Sequence, residues 1–145
     1  MEIKVIVSDI DKTKVGAIIA GLFEGMASLG GDIAAIDRAL DGTISRLIKQ
    51  GEIKGKPGEI TIIHSLGRLP ADRVVVVGLG KQAELNRDKV RGAVAETCRR
   101  LRQRDIDSIA TPALGAGTAD INPETAAQVI TEGVLLGTYS FRKYI

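Results

Sequence analysis

A three-layer α/β/α sandwich around a mixed, mostly parallel sheet is the fold class that this sequence predicts. Val74-Val75-Val76-Val77 is a continuous β-branched run, the pattern of a strand covered by helices on both faces. Two longer segments repeat apolar residues in steps of three and four, which gives a helix one buried face. Strand-like and helix-like segments interleave along the chain, and helices separated by buried strands pack on both sides of one sheet.

The elements follow in order. Glu2 to Ser8 sets Ile3, Val5 and Val7 in alternation and reads as a mostly buried strand. Asp9-Ile10-Asp11-Lys12-Thr13-Lys14 is a polar turn, and the apolar run from Ala17 to Leu22 is an interior strand. After Gly30-Gly31, Asp32 is placed to cap one helix with Ile33, Ile36, Leu40, Ile44, Leu47 and Ile48 inward. Gly51 ends it, and Gly55-Lys56-Pro57-Gly58 turns the chain. Strands are expected over 59–65 and 73–79. Asn86 caps a second helix, with Val90, Ala93, Val94, Thr97, Cys98 and Leu101 inward and Arg91, Arg99, Arg102 and Arg104 mainly outward. A strand over 108–114 runs into Gly115-Ala116-Gly117-Thr118. Asn122-Pro123-Glu124 then opens a third helix with a cap and a first-turn proline. Its Gly133 and Gly137 permit close contact with a neighbour.

Composition narrows the function classes. The 145 residues suit one domain with a full core, since 44% of them are hydrophobic. No apolar run reaches the ~20 residues of a membrane helix. The chain opens without a charged-then-apolar leader and has one cysteine, so a cytoplasmic, reducing setting is expected. Net charge is only +2, and Tyr139, Phe141 and Tyr144 are three of just four aromatic residues. Neither a polyanion partner nor a base-stacking platform is expected.

Single residues carry little chemistry. Strand-end glycines in Gly115-Ala116-Gly117-Thr118 expose backbone N–H groups beside a helix start, an arrangement that favours anions. The plainer reading is a tight turn needing positive φ, and Gly78-Leu79-Gly80-Lys81 is read the same way. His64 is expected to be packed or hydrogen-bonded on a strand face, and Cys98 to be a small buried hydrophobe. Lone His and Cys residues without metal-ligand spacing make a metal site in this chain unexpected. The pairs Asp9/Asp11 and Asp105/Asp107 suit turns. Arg99, Arg100, Arg102 and Arg104 suit a solvated helix face, with weak nucleic-acid contact as the minor option.

The segment Glu132 to Tyr144, written EG-x-x-LG-x-Y-x-F-x-x-Y, resembles the close of the N-terminal domain of leucyl (cytosol) aminopeptidases. Val77-Gly78-Leu79-Gly80-Lys81 and Asp88-Lys89-Val90-Arg91-Gly92-Ala93 are similar to that family too, and the likeness runs through nearly the whole chain. The resemblance implies a non-catalytic domain that assembles or stabilises a homohexamer and shapes access to neighbouring active sites. Its implied partners are its own C-terminal peptidase domain and sister subunits, and peptide substrate reaches it only through that domain. The family's two divalent metals, zinc or manganese, belong to the C-terminal half with its NTDAEGR signature, a string not found here. No cofactor and no peptidase activity are therefore expected of these residues. Tyr139, Phe141 and Tyr144 are expected at the interface with the peptidase domain or another subunit.

The aminopeptidase N-domain in turn resembles the macro domain in fold. Here Ser8-Asp9-Ile10-Asp11 and the following residues to Ile18 look like the macro pattern GDIT-x-x-x-VDAI, and Thr111 to Thr118 looks like its phosphate loop. This resemblance implies an alternative function, binding ADP-ribose or a related phosphorylated ligand through Asp9, Gly31, Gly115, Gly117 and Thr118. The macro pattern's Asn-rich segment and longer glycine run are reduced here to Gly30-Gly31, with Asp32 directly after and Asp120 beyond the phosphate loop. Those carboxylates would repel a diphosphate, which favours a retained fold with a lost or altered ligand site. An engineered or reconstructed scaffold is a third reading.

Overall fold

The strands of this protein divide their side chains between two cores. In the computed structural model the described residues are 2–5, 9–26, 28–116 and 121–142; for residues 5 and 138–142 this extends to the backbone alone. The strands are β1 (Glu2–Val5), β2 (Ala17–Phe23), β3 (Ile60–His64), β4 (Arg73–Gly80) and β5 (Ser108–Thr111). The helices are α1 (Gly31–Ala39), α2 (Thr43–Lys49), α3 (Arg87–Gln103) and α4 (Pro123–Arg142).

The sheet order is β1-β5-β2-β4-β3. β1, β5, β2 and β4 run parallel, from Glu2↔Ser108 through Ala17↔Ile109 to Ala17↔Arg73. Only β3 is antiparallel, with Ile60 against Val77 and His64 against Arg73. Alternation sends Ala17, Ile19, Val75, Val77 and Ile109 to one face, where Val90, Val94, Cys98 and Leu101 of α3 and Ala126, Val129, Ile130 and Val134 of α4 cover them. Ile18, Ala20, Leu22, Val74, Val76 and Ala110 face the other way, onto Ile33, Ile36 and Leu40 around α1 and Ile44 of α2. The four valines are 0–1% exposed, as a strand covered on both faces requires. The expected mixed, mostly parallel sandwich is the fold observed.

Four local expectations are corrected. The single helix expected over 32–48 is two helices, because Asp41 (φ 56°) and Gly42 (φ 77°) both enter the left-handed region and stop α1. Asp32 is not the cap: Gly30 holds the N-cap position, without a side-chain hydrogen bond, and Asp32 sits in the first turn. β5 ends at Thr111 rather than 114, since Pro112 has no N–H to extend the ladder. His64, expected to be packed or hydrogen-bonded, is exposed at the end of the edge strand. Two caps stand as read: Asn86 Oδ1 accepts from Lys89 N–H at 2.9 Å, and Asn122 Oδ1 from Thr125 N–H at 2.7 Å. Among the described residues no helix is long and apolar enough to cross a membrane.

Candidate functional site

In an open α/β sheet, ligands collect where neighbouring parallel strands send their connections to opposite faces. Here that place lies around the end of β2, which leads to α1 on one face while its parallel neighbours β5 and β4 lead to α4 and α3 on the other. The described residues from the predicted set, Asp9, Gly31 and Gly115, lie in the connections that follow β1, β2 and β5, three adjacent strands. Gly117 and Thr118 lie outside the described residues, as does Asp120.

Asp9 is exposed, has φ 57° and begins a 3-10 turn over Ile10–Lys12. Lys12 Nζ stands 4.0 Å from its carboxylate, an exposed pair of little energetic weight. Gly31 has φ 62° with nothing within 4 Å of where a Cβ would stand, so it is required for conformation rather than space. Gly115 has φ 79° and is also tight: a Cβ there would come within 3.0 Å of Leu85, 3.2 Å of Ile121 and 3.3 Å of Val90. The tight-turn reading of this glycine therefore has two physical causes.

Electrostatics disfavour an anion at this end of the sheet. Partial burial, and then the nearby charge of Asp11, raise the Asp32 pKa above its usual 3.8. The first turn of α1, the natural cradle for a phosphate, thus holds a carboxylate with a second carboxylate beside it.

The second glycine loop is explained by packing. Gly78 lies beneath the backbone of Lys56, where a Cβ would collide with the Lys56 carbonyl oxygen. Gly80 (φ 77°) lies against the Pro57 ring, 2.7 Å from the site of a Cβ. Gly78 N–H donates to Glu59 O and Gly80 N–H to Gly55 O, both at 2.8 Å, so the 55–58 turn is clamped onto β4.

Metal chemistry finds no donor set among the described residues. His64 is exposed on the edge strand, whereas Cys98 is fully buried in α3. Among the described residues no group of three or more His, Cys, Asp and Glu side chains could hold a metal ion. Burial pushes the Cys98 thiol from its ordinary 9.0 up to about 11, against the lesser opposing pull of nearby cations including Arg99 and Arg102. Of the basic cluster, Arg99 and Arg100 both reach Glu96, at 2.9 and 3.5 Å, as a solvated helix face would. Sequence reasoning missed Asp37, a buried carboxylate that caps α2, and the open edge of β3. The Asp41-Gly42 pair, a strong turn signal inside a helical pattern, could have revealed the first.

The fold and its switch-point loops define a macrodomain-like α/β protein. The macrodomain of Mycobacterium tuberculosis DarG superposes with a TM-score of 0.70 at 17% identity, covering 90% of this chain and 88% of that one. Tomato leucine aminopeptidase superposes with a TM-score of 0.71 at 18% identity, over 94% of this chain but 28% of that one. The model of the cytosol aminopeptidase family, N-terminal domain, matches residues 19–144. A probable cytosol aminopeptidase of Alkaliphilus oremlandii is 36% identical over 144 residues, 99% of this chain and 29% of the relative. The chain belongs to the cytosol aminopeptidase family, as its N-terminal domain, and spans under a third of the length of the curated relatives it matches.

Proposed function

We propose that this chain is a non-catalytic assembly domain of a two-metal leucyl aminopeptidase, acting in oligomer formation or in access to the active sites. The observation that carries this reading is apolar surface on the final helix: Leu135 is 63% and Leu136 is 46% exposed beside two filled cores. Isolated exposed leucines are ordinary, but neighbours on one helix just before an aromatic run suit a covered surface. Tyr139 and Phe141, proposed here as interface residues, have side chains outside the described residues, and Tyr144 lies wholly outside them. Partners on this reading are the peptidase domain and sister subunits. The relatives' name, cytosol aminopeptidase, supports a cytoplasmic setting. The metal-binding and catalytic groups of the parent enzyme would come from residues beyond this set of 145.

The test is direct. The 145-residue chain, supplied with zinc or manganese and a chromogenic leucine substrate, should give no turnover; measurable hydrolysis would overturn the reading.

A second reading, a module for ADP-ribose or a related phosphorylated ligand, draws on the macrodomain neighbours. The Asp11 and Asp32 carboxylates weigh against it. Calorimetry with ADP-ribose should show no binding at micromolar concentration. Micromolar binding that Gly117→Glu abolishes would reverse this preference.

A further inference from the structure

The two edges of the sheet are finished differently. β1 carries Glu2 and Lys4, an exposed ion pair at 3.8 Å, and charges on an edge strand discourage pairing with other chains. At the other edge β3 reads Ile60-Thr61-Ile62-Ile63-His64, without a proline, an acidic residue or a lysine. Its single partner among the described strands is β4, in unbroken register. The neighbouring Glu59 is turned back on its own loop, accepting from the N–H groups of Lys54 and Gly55 at 2.8 Å each. The far side of β3 is thus an uncharged row of backbone donors and acceptors.

Each end of this strand carries an apolar feature. Just after it, Leu66 is 85% exposed and holds φ 52°, the left-handed region that is costly for leucine. An exposed apolar side chain kept in a strained backbone points to a use for it. Just before the strand, a groove of about 220 Å³ opens between Pro57, Gly58 and Ile60 on one side and Gly92 and Ala93 of α3 on the other. Its lining is mainly apolar, and it is smaller than the ~300 Å³ at which small-molecule sites begin, so a single side chain suits it better.

We propose that β3 is a self-pairing edge: two copies of this chain join antiparallel through β3, and Leu66 of each copy docks at the Pro57–Ile60 groove of the other. A two-fold contact must be self-complementary, with each feature meeting its counterpart on the other copy. In antiparallel pairing centred on Ile62, Leu66 stands opposite the partner's Gly58; centred on Ile63, it stands opposite the partner's Ile60. Knob and groove lie at opposite ends of one strand, so an antiparallel copy satisfies both at once. A parallel strand or a small ligand would satisfy neither fully. Two five-stranded sheets become one continuous sheet, and the half-buried Ile60 and Ile62 gain cover. The pairing deepens the assembly reading above and rests on it, but it is measured by mass rather than by turnover, so either can fail alone.

Sedimentation equilibrium of the 145-residue chain from micromolar to millimolar concentration should show a monomer–dimer equilibrium. Amide exchange in β3 should slow as the dimer fills. Thr61→Lys places a charge on the edge, and Leu66→Gly removes the knob while relieving its backbone. Each should weaken dimerisation at least about tenfold. Leu66→Gly should at the same time raise the melting temperature, which separates lost docking from lost folding. A monomer at every concentration, or a dimer that both variants leave intact, would overturn the proposal.

Discussion

Asp37 ties the two helices of the first connection together. Its Oδ1 accepts from the N–H groups of Ile44 and Ser45 at 2.7 and 3.2 Å, and Oδ2 accepts the Ser45 hydroxyl at 2.5 Å. Those N–H groups open α2, which has no cap from Gly42, so a carboxylate in the last turn of α1 does the capping. Asp37→Ala should lower stability by about 2 kcal/mol, because it removes a cap and leaves buried donors unpaired; urea unfolding reads this directly. Cys98 gives a pH signature. Folding raises its pKa above 9.0 to about 11, so the unfolded chain loses the thiol proton first. This group's contribution is fully present below pH 9.0 and is lost as pH rises to about 11. Cys98→Ala should flatten the alkaline decline of the melting temperature over that window, and an unchanged slope would count against the burial argument.

At the scale of elements, α3 and α4 pack closely because glycines replace side chains at their contact. A Cβ at Gly133 would stand 2.7 Å from the Arg91 carbonyl oxygen, and one at Gly137 2.7 Å from that of Ala95. Gly133→Val should destabilise the protein by about 3 kcal/mol, seen as a lower midpoint in urea, since backbone cannot give way as a side-chain tip can. This pairing was legible in sequence, because the two glycines fall on the apolar stripe of α4 four residues apart. The break between α1 and α2 was not. Ile33, Ile36, Leu40 and Ile44 keep helical spacing straight across it, so apolar period alone could not separate one bent path from one helix. His64 failed for a related reason: alternation gives the face of a side chain, whereas its exposure depends on where the strand sits in the sheet.

For the whole molecule, layers and class could be read from the order of buried strands and amphipathic helices. Strand order could not, because it depends on which way each crossover steps, and nothing local to a strand records that. The chain steps from β2 toward β4 on one face, then returns with α3 on the other to place β5 beside β2. That reversal brings the loops bearing Asp9, Gly31 and Gly115 to neighbouring strands at one end of the sheet, a placement that no local sequence pattern records. The Asp11–Asp32 repulsion joins residues of two connections and appears only once the sheet is assembled.

The strand order also sets how many engagements the domain can hold at once. α4 packs beside β1, whereas β3 closes the opposite edge, four inter-strand steps or roughly 19 Å away. Leu135 and Leu136 on one flank and the Ile60–His64 edge on the other therefore do not compete for space. If both proposed contacts form, the domain is bivalent, gripping one body with its last helix while presenting a strand to a second.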